Sequence, residues 1–351
     1  MTYRTALVDF GGRLIGDGQP VYVIAEAGAN HNGDYGLACE LIDAAVDAGA
    51  DAVKFQTYSG NTLYSSKAPK FDYLEGVSDK APHELLEDLA MPRHWQPKLA
   101  EYCGERIDFL SSPFDRDAVD ELDALDVPGF KIASFELVDL PFIEYAASKG
   151  RPLILSTGMA TLGEIEEAID AAHKGGADEI IILQCASLYP SPPEIMNLRS
   201  IPALRNAFGR PIGLSDHTLG IHVSVASVAV EAALIEKHFT MDRTMPGPDH
   251  PFAIEPDELA NLVSQVRDIE VALGDGVKRG PSEAEAQEMY GKARRSIVAA
   301  EAIPAGSRIE RHQLTVKRPG HGIKPKFIEA VVGRTAATDI EYDDIITWDM
   351  L

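Results

Sequence analysis

The sequence is poor in cysteine, in basic residues and in long apolar runs. Its three cysteines, Cys39, Cys103 and Cys185, are an odd number without paired spacing, which argues against a disulfide framework and indicates a reducing compartment. Lysine and arginine total 32 against 55 acidic residues, a net charge of −23, which disfavours a general nucleic-acid-binding or anionic-membrane surface. No run of about 18 apolar residues and no signal-peptide pattern is present. We therefore expect a soluble cytoplasmic protein.

Short β-rich runs alternate with helix-periodic stretches along most of the chain. The 351 residues exceed the roughly 250 of a minimal eightfold barrel, and 45% hydrophobic residues can bury a large core. Eight strands alternating with eight helices predict an α/β fold, a closed (β/α)8 TIM barrel, with an open doubly wound sheet as the alternative. The predicted strands are Val21–Glu26, Ala52–Thr57, Ile107–Ser111, Phe130–Ser134, Pro152–Ser156, Ile180–Cys185, Ile212–Ser215 and Leu234–His238.

Changes in composition divide the chain into four segments. Residues 1–20 alternate apolar and polar positions around a Gly-Gly pair and predict an N-terminal hairpin or lid. Residues 21–275 carry the predicted barrel, and the polar residues 276–293 predict a linker. Short β-like runs divided by turns over residues 294–351 predict a small β-rich domain. Within the barrel, residues 59–93 are expected to form a solvated loop.

Two neighbouring predicted strands end in a histidine, at His217 and His238. Parallel strands place their carboxyl ends on one rim of the sheet, so the two imidazoles can converge on one ion or substrate. A single histidine at a strand end is often only a satisfied polar residue, but two in register favour a site. Two imidazoles suit a divalent ion that keeps waters or substrate oxygens in its other positions.

Lys54 and Lys131 stand inside apolar strands, where an ammonium group is costly unless it meets an anion. Hydroxyl donors on neighbouring predicted strands are Ser134, Ser156 and Ser215. Lysines and serines together suit a phosphate and a carboxylate, although there is no Walker-type glycine loop. The alternative is that one lysine forms a structural salt bridge with Glu26 or Glu136.

Glu26 and Glu136 come at the ends of the first and fourth predicted strands. A carboxylate among lysines and a metal stays ionised and can orient or deprotonate a water or a hydroxyl. Asp249 follows His238 in a loop with glycine and proline, where it binds sugar hydroxyls or is only a turn aspartate. No Ser-His-Asp spacing stands out and Cys185 has no base nearby in sequence, so no covalent nucleophile is predicted.

From about residue 15 onward, a series of motifs resembles the sialic acid (N-acetylneuraminate) synthases, a family that includes legionaminic and pseudaminic acid synthases. The motifs are IAEAGANHNGD, AGADAVKFQTY, FLSSPFD, FKIASFE, ILSTGMAT, QCASLYPSPPE, IGLSDHTLG, IEKHFTMDRTMPGPDH and EPDEL. The tail, RRSIVAAEAIPAG through TVKRPGHGI, resembles the antifreeze-like (SAF) domain of that family. The resemblance implies a transferase that condenses phosphoenolpyruvate with an N-acylated amino sugar to a nine-carbon acid. It also implies a divalent ion, Mn²⁺ ahead of Mg²⁺ or Co²⁺, and a domain-swapped homodimer.

The same resemblance assigns roles to individual residues. The implied metal ligands are His217 and His238. The residues implied to hold phosphoenolpyruvate are Lys54, Lys131, Ser134, Ser156 and Ser215, together with Ser112 and Ser187. The residues implied to face the sugar are Glu26, Tyr189 and Asp249. Glu136 is implied to act on the attacking water, and Arg318 of the partner subunit is implied to reach the sugar's N-acyl group.

The motifs point to different sugars. FKIASFE is similar to the pseudaminic acid synthases, whereas GPDH and KRPGHG are similar to sialic or legionaminic acid synthases. N-acetylmannosamine is the expected substrate, and a 2,4-diacetamido-2,4,6-trideoxyhexose is the alternative. Two other classes of function are a metal-dependent hydrolase, which usually needs three or four ligands, and a non-catalytic binding protein. A non-catalytic binding protein would leave the polar residues at the strand ends without a function.

Overall fold

The computed structural model describes residues 7–69 and 80–351, and this chain divides into two compact units. The first unit runs to Gly274, and the second is Asp275–Leu351. Each unit has its own apolar core. Within the described ranges, no helix combines the length and the apolar character that crossing a membrane requires.

The first unit begins with a β-hairpin of β1 (Val8–Phe10) and β2 (Arg13–Ile15) in antiparallel register. Phe10 packs edge-on against Tyr22, with ring centroids 5.6 Å apart. Because Tyr22 is the first residue of the first barrel strand, the hairpin closes the amino-terminal end of the barrel. The segment predicted as a hairpin or lid thus forms a hairpin over Val8–Ile15.

Eight parallel strands form a nearly closed barrel. They are β3 (Tyr22–Gly28), β4 (Ala52–Thr57), β5 (Asp108–Pro113), β6 (Phe130–Ile132), β7 (Leu153–Ser156), β8 (Ile180–Cys185), β9 (Ile212–Asp216) and β10 (Leu234–His238). Their order is β5-β4-β3-β10-β9-β8-β7-β6, and β5 contacts β6 across the seam. The predicted barrel is confirmed, and the open doubly wound alternative is wrong.

Helices follow most of the barrel strands. They are α1 (Tyr35–Asp47), α2 (Gly60–Leu63), α3 (Pro82–Leu89), α4 (Gln96–Cys103), α5 (Arg116–Ala124), α6 (Leu140–Ala147), α7 (Leu162–Gly175), α8 (Ser200–Phe208), α9 (His222–Val228) and α10 (Pro256–Leu273). Local chemistry sets several of their ends. The Thr161 hydroxyl accepts from Glu164 N and the Glu164 carboxylate accepts from Thr161 N, which starts α7, and Gly176 ends it in the left-handed conformation.

The strands carry two apolar layers because successive side chains face opposite sides of the sheet. Outward-facing residues such as Val53, Ile182 and Ile235 pack with the helices in the larger core. Inward-facing residues near the strand starts pack against the hairpin; they are Ile24, Ala52, Leu110, Ile154, Ile181, Leu183 and Leu234. The barrel interior is therefore apolar at its amino-terminal end.

The second unit contains one antiparallel pair, β11 (Ser296–Ala299) and β12 (Leu314–Lys317), and several isolated β-bridges. Its core is built mainly from isoleucines: Ile297, Ile303, Ile309, Ile323, Ile340 and Ile346. Its helices are α11 (Glu283–Glu285), α12 (Gly291–Ala293) and α13 (Ile328–Val331), and a π-helical turn joins the first two. The polar segment predicted as a linker is thus helical over residues 283–293.

Candidate active site

On the barrel strands, the side chains that face the interior are apolar near the amino-terminal end and polar near the carboxyl end. Residues two positions apart on a strand face the same side of the sheet. The polar residues of the site therefore follow, on the same strands and the same face, the apolar residues of the barrel interior. The buried polar side chains at this rim are Glu26, Lys54, Ser112, Lys131, Ser156, Ser215, His217, Glu236 and His238. The barrel thus brings together, from seven different strands, residues that lie more than 200 positions apart.

The two strand-end histidines converge, as predicted. The ring centroids of His217 and His238 lie 5.4 Å apart, and Tyr189 lies against both rings, at 4.4 Å and 6.4 Å. Nδ1 of His217 donates to the Ala186 carbonyl at 2.8 Å, which leaves its Nε2 as a lone-pair donor. Burial, together with the nearby charge of Lys54, holds the pKa of His238 well below its usual range.

This histidine pair fits an ion with open coordination positions. Nδ1 of His238 is buried without a hydrogen-bond partner in the part of the chain described, and Asp249 Oδ2 lies 3.8 Å from it. No cluster of three or more His, Cys, Asp or Glu side chains suited to a metal exists within residues 7–69 and 80–351. The chain therefore offers two imidazole nitrogens, and the remaining ligands would be water or substrate.

Two buried lysines and one buried glutamate form the centre of the rim. Glu236 Oε1 lies 3.2 Å from Lys131 Nζ, and Glu236 Oε2 lies 3.6 Å from Lys54 Nζ. The hydroxyls of Ser215 and Ser112 complete the group: Ser215 donates to Glu236 at 2.8 Å, and Lys54 donates to Ser112 at 3.1 Å. Burial opposes the ionised form, but the ammonium groups of Lys131 and Lys54 hold the pKa of Glu236 below its usual range.

The salt bridge considered as an alternative role for one lysine is present, since Lys54 Nζ lies 2.6 Å from Glu26 Oε2. Gln56 also donates to Glu26, at 2.8 Å. Burial raises the pKa of Glu26, and Lys54 opposes that rise. An anion that enters this site would therefore share Lys54 with the carboxylates of Glu26 and Glu236.

Three of the predicted serines, Ser134, Ser156 and Ser187, lie at the carboxyl ends of β6, β7 and β8. Ser134 accepts from Gly158 N at 3.0 Å, and a Cβ at Gly158 would come within 2.1 Å of Ser187 Oγ. Only glycine fits at this position, because the side chains of Ser134 and Ser187 both lie against it. The hydroxyls of Ser156 and Ser187 are buried without a hydrogen-bond partner in the described ranges. Buried, unpaired hydroxyls at a rim are available to a ligand.

A cavity of about 340 Å³ opens beside the histidines and is lined mainly by apolar side chains. Its polar lining residues are Gln56, Glu136, His238 and Asp249. Its apolar and aromatic lining includes Leu63, Leu85, Leu86, Leu89, Phe114 and Phe135. The leucines belong to α2 and α3 within residues 59–93, so the expected solvated loop is wrong over Gly60–Leu63 and Pro82–Leu89; residues 70–79 lie outside the described ranges.

Two carboxyl groups of this cavity have raised pKa values. Burial raises the pKa of Glu136 to about 7, and its Oε2 has no hydrogen-bond partner among residues 7–69 and 80–351. Burial also raises the pKa of Asp249 to about 6, against the effect of His217 and Lys54. A carboxyl group with a pKa near neutrality can take up or release a proton at the working pH.

Arg318 belongs to the second unit, in the turn directly after β12. The carbonyl of Pro319 accepts from Ser296 Oγ at 2.7 Å, and Gly320 N donates to the Gly291 carbonyl at 2.7 Å. These bonds fix the turn within its own unit. The assignment of Arg318 to the sugar stays a prediction.

Glu236 is the site residue that sequence reasoning missed. It lies two residues before His238 on the same strand, β10. The period of two places both side chains in the barrel interior, and this signal identifies Glu236. Gln56 follows Lys54 by two residues on β4 and therefore also faces the barrel interior.

Comparison with known proteins agrees with this geometry. The NeuB family profile matches residues 41–278, and the SAF domain profile matches residues 294–351. The chain belongs to the NeuB family. The predicted family and the antifreeze-like domain are thereby confirmed, and the protein is an enzyme of the synthase class to which its relatives belong.

Relatives match over nearly the whole chain. The N,N'-diacetyllegionaminic acid synthase of Campylobacter jejuni is 42% identical over 92% of this chain and 98% of its own. The enzyme of the same name from Legionella pneumophila is 39% identical, covering 95% of each chain. The solved structure of the N-acetylneuraminic acid synthetase of Leptospira borgpetersenii, in complex with citrate, superposes with a TM-score of 0.73 at 35% identity, covering 82% of this chain and 97% of that one. These names differ in the sugar acid made.

Proposed function

We propose that this protein condenses phosphoenolpyruvate with an N-acylated amino sugar to give a nonulosonic acid and phosphate. The observation that carries the proposal is the rim itself, where two buried ammonium groups and several hydroxyls lie beside a converging pair of histidines. Phosphoenolpyruvate carries a phosphate and a carboxylate, which such a group of donors suits. The class of product, a nonulosonic acid, is inferred from the names of the relatives.

Phosphoenolpyruvate binding is assigned to the lysine and serine side of the rim. Lys54 and Lys131 neutralise the anion in a desolvated site, where the electrostatic attraction is stronger than in water. The hydroxyls expected to orient it are Ser112, Ser134, Ser156, Ser187 and Ser215. Fixing the enol against the sugar replaces a bimolecular search by a preset geometry.

The reaction requires one new C–C bond and the loss of phosphate. The enol carbon attacks the aldehyde carbon of the open-chain sugar, and the aldehyde oxygen takes up a proton. Water then adds to the phosphate-bearing carbon, and phosphate leaves by cleavage of its C–O bond. Glu136 accepts the proton of this water, since its pKa of about 7 and its unpaired Oε2 suit a general base.

The divalent ion, which we propose to be Mn²⁺, would be held by His217 and His238 and would supply Lewis-acid polarisation of the sugar aldehyde. Tyr189 packs on both rings and restricts their orientation. Glu26 and Asp249 are proposed to accept hydrogen bonds from the sugar hydroxyls. Gln56 and Lys54 orient the Glu26 carboxylate for that purpose.

For the sugar, the apolar cavity favours a 2,4-diacetamido-2,4,6-trideoxyhexose over N-acetylmannosamine. Leucine and phenylalanine side chains suit the methyl groups of two acetamido substituents and of a 6-deoxy carbon. A hydroxymethyl group in the same position would lose its hydrogen bonds to water. The two relatives named N,N'-diacetyllegionaminic acid synthase support this choice.

We further propose a homodimer in which the partner's C-terminal domain covers the rim. Large apolar side chains are exposed in the loops after β6, β7, β8 and β9: Val138, Met159, Leu188 and Leu219. Such a group of exposed apolar residues is typical of an interface. Arg318 of the partner subunit would then meet the sugar's N-acyl group. Light scattering of the purified protein tests the dimer, and a monomer would contradict it.

The substrate is tested by incubating the purified protein with Mn²⁺, phosphoenolpyruvate and each candidate sugar, and measuring phosphate release. We expect the highest kcat/KM with the diacetamido sugar and no release without a sugar. Equal or faster release with N-acetylmannosamine would contradict the choice of sugar. Release that needs no sugar would instead support the hydrolase alternative.

A further inference from the structure

A buried ion pair lies directly behind the two histidines, on the outer face of the same strands. Lys237 Nζ lies 3.1 Å from Asp216 Oδ2, and the two side chains are 1% and 0% exposed. Asp216 precedes His217 and Lys237 precedes His238 in sequence, and the two ion-pair residues are register partners of β9 and β10. Because alternate residues face opposite sides, the pair points away from the barrel interior.

The ion pair belongs to a small buried network at the carboxyl ends of β9 and β10. Asp216 accepts from Ser224 Oγ of α9 at 2.5 Å and from Thr218 N at 2.8 Å. Lys237 also donates to the Thr218 carbonyl. These contacts join both strand ends, the first residues of the loop after β9, and α9.

This network occurs where the regular strand pairing stops. The last register pair between β9 and β10 is Asp216 with Lys237, so His217 lies beyond the ladder. The Ala186 carbonyl accepts from the ring of His217, and Ser191 N donates to the His217 carbonyl at 2.9 Å, but no bond of the β9–β10 ladder reaches the His217 backbone. The loop that follows it is held instead through Thr218, by Asp216 and Lys237.

We propose that Asp216 and Lys237 are positioning residues, which cross-link the two strand ends so that the imidazoles of His217 and His238 converge on one ion. The inference rests on the proposed metal site and adds to it the residues that set its geometry. Neither side chain faces the substrate or the ion, so both act only through the histidines. Supporting groups behind metal ligands commonly change metal affinity by about 10–100-fold when they are removed.

The test removes the cross-link while avoiding a lone buried charge. The double variant Asp216→Asn/Lys237→Met keeps an acceptor for Thr218 N and removes both charges together, since breaking only one partner of a buried pair is strongly destabilising. Asp123→Asn/Arg151→Met is the matched control, because Arg151 Nε lies 2.6 Å from Asp123 at the amino-terminal end of β7. Mn²⁺ affinity is measured by calorimetry, and the unfolding temperature of each metal-free variant by circular dichroism.

We expect the Mn²⁺ Kd of Asp216→Asn/Lys237→Met to rise about 10–100-fold, while the control stays within about twofold of the wild type. A Kd within about twofold for both variants would overturn the inference. If the double variant does not fold, Ser224→Ala tests the positioning role instead, because it removes only the α9 hydrogen bond to Asp216. A several-fold rise in its Kd is expected, and an unchanged Kd would contradict the positioning role. Absence of Mn²⁺ binding by the wild type would contradict the metal site itself.

Discussion

Glu236 Oε1 lies 3.2 Å from Lys131 Nζ, and both side chains are buried in the barrel interior. Glu236 also approaches Lys54, so a single carboxylate neutralises two ammonium groups that are proposed to bind phosphoenolpyruvate. The free site is therefore already charge-paired through its own side chains. An incoming anion therefore has to share Lys54 and Lys131 with Glu236 or displace its carboxylate from them.

Glu236→Gln should destabilise the free protein more than the complex. The change leaves the charges of Lys54 and Lys131 less compensated, and breaking a buried pair costs roughly 3–5 kcal/mol. Phosphoenolpyruvate restores negative charge beside them. Thermal unfolding is expected to show a lower Tm without ligand and a larger Tm increase on adding phosphoenolpyruvate than in the wild type. An unchanged Tm, or a smaller increase, would show that Glu236 does not balance these lysines.

Glu136→Gln should lower kcat by about 10²–10⁴-fold and leave the KM for phosphoenolpyruvate nearly unchanged, because a general base acts in the transition state. Steady-state kinetics with phosphate detection measures both constants. Glu144→Gln on α6 is the control, since Glu144 pairs with the exposed Lys174 and lies outside the cavity lining. A large rise in KM with kcat intact would assign Glu136 to binding instead.

The pH profile of kcat/KM for the sugar should have a rising limb near neutrality, because this constant reports the pKa values of the free enzyme. Burial raises the pKa of Glu136 to about 7, and a base works only when ionised. One pH unit below that value about a tenth of the molecules carry the ionised form. We therefore expect kcat/KM for the sugar to fall about tenfold between pH 8 and pH 6 in the wild type, and the limb to vanish in Glu136→Gln. A flat wild-type profile over this range would contradict the assignment.

Leu63→Gln should lower kcat/KM for the diacetamido sugar by about 10–200-fold, the range that one apolar contact in a pocket is worth. Leu63 lines the cavity at the end of α2. The KM for phosphoenolpyruvate should change little, because the lysine and serine side of the rim is untouched. Val271→Gln, at a strongly exposed position of α10, is the control. Equal losses in both variants would mean that the cavity does not select the sugar.

Much of the barrel follows from the sequence, because β-rich runs and helix-periodic stretches alternate without interruption. The strands Ala52–Thr57, Ile180–Cys185 and Leu234–His238 have the predicted bounds. The position of the N-terminal hairpin does not follow, since nothing in its local pattern reports that Phe10 packs on Tyr22. That contact depends on tertiary packing.

The site was predictable where strand ends carry functional groups, as with His217 and His238, whose convergence needs only a parallel sheet. Glu236 was missed because its partners Lys54 and Lys131 lie more than 100 residues away, and sequence spacing reports no such contact. The cavity-lining leucines of α3 were missed because the charged residues around them resemble a solvated loop.

Phosphoenolpyruvate is proposed to lose its phosphate by C–O cleavage while a nine-carbon acid forms. This reaction is tested most directly by running it with the diacetamido sugar in oxygen-18 water and analysing both products by mass spectrometry. We expect one oxygen-18 atom in the new sugar acid and unlabelled phosphate. Oxygen-18 in the phosphate, or phosphate release without a nine-carbon acid, would contradict this proposal.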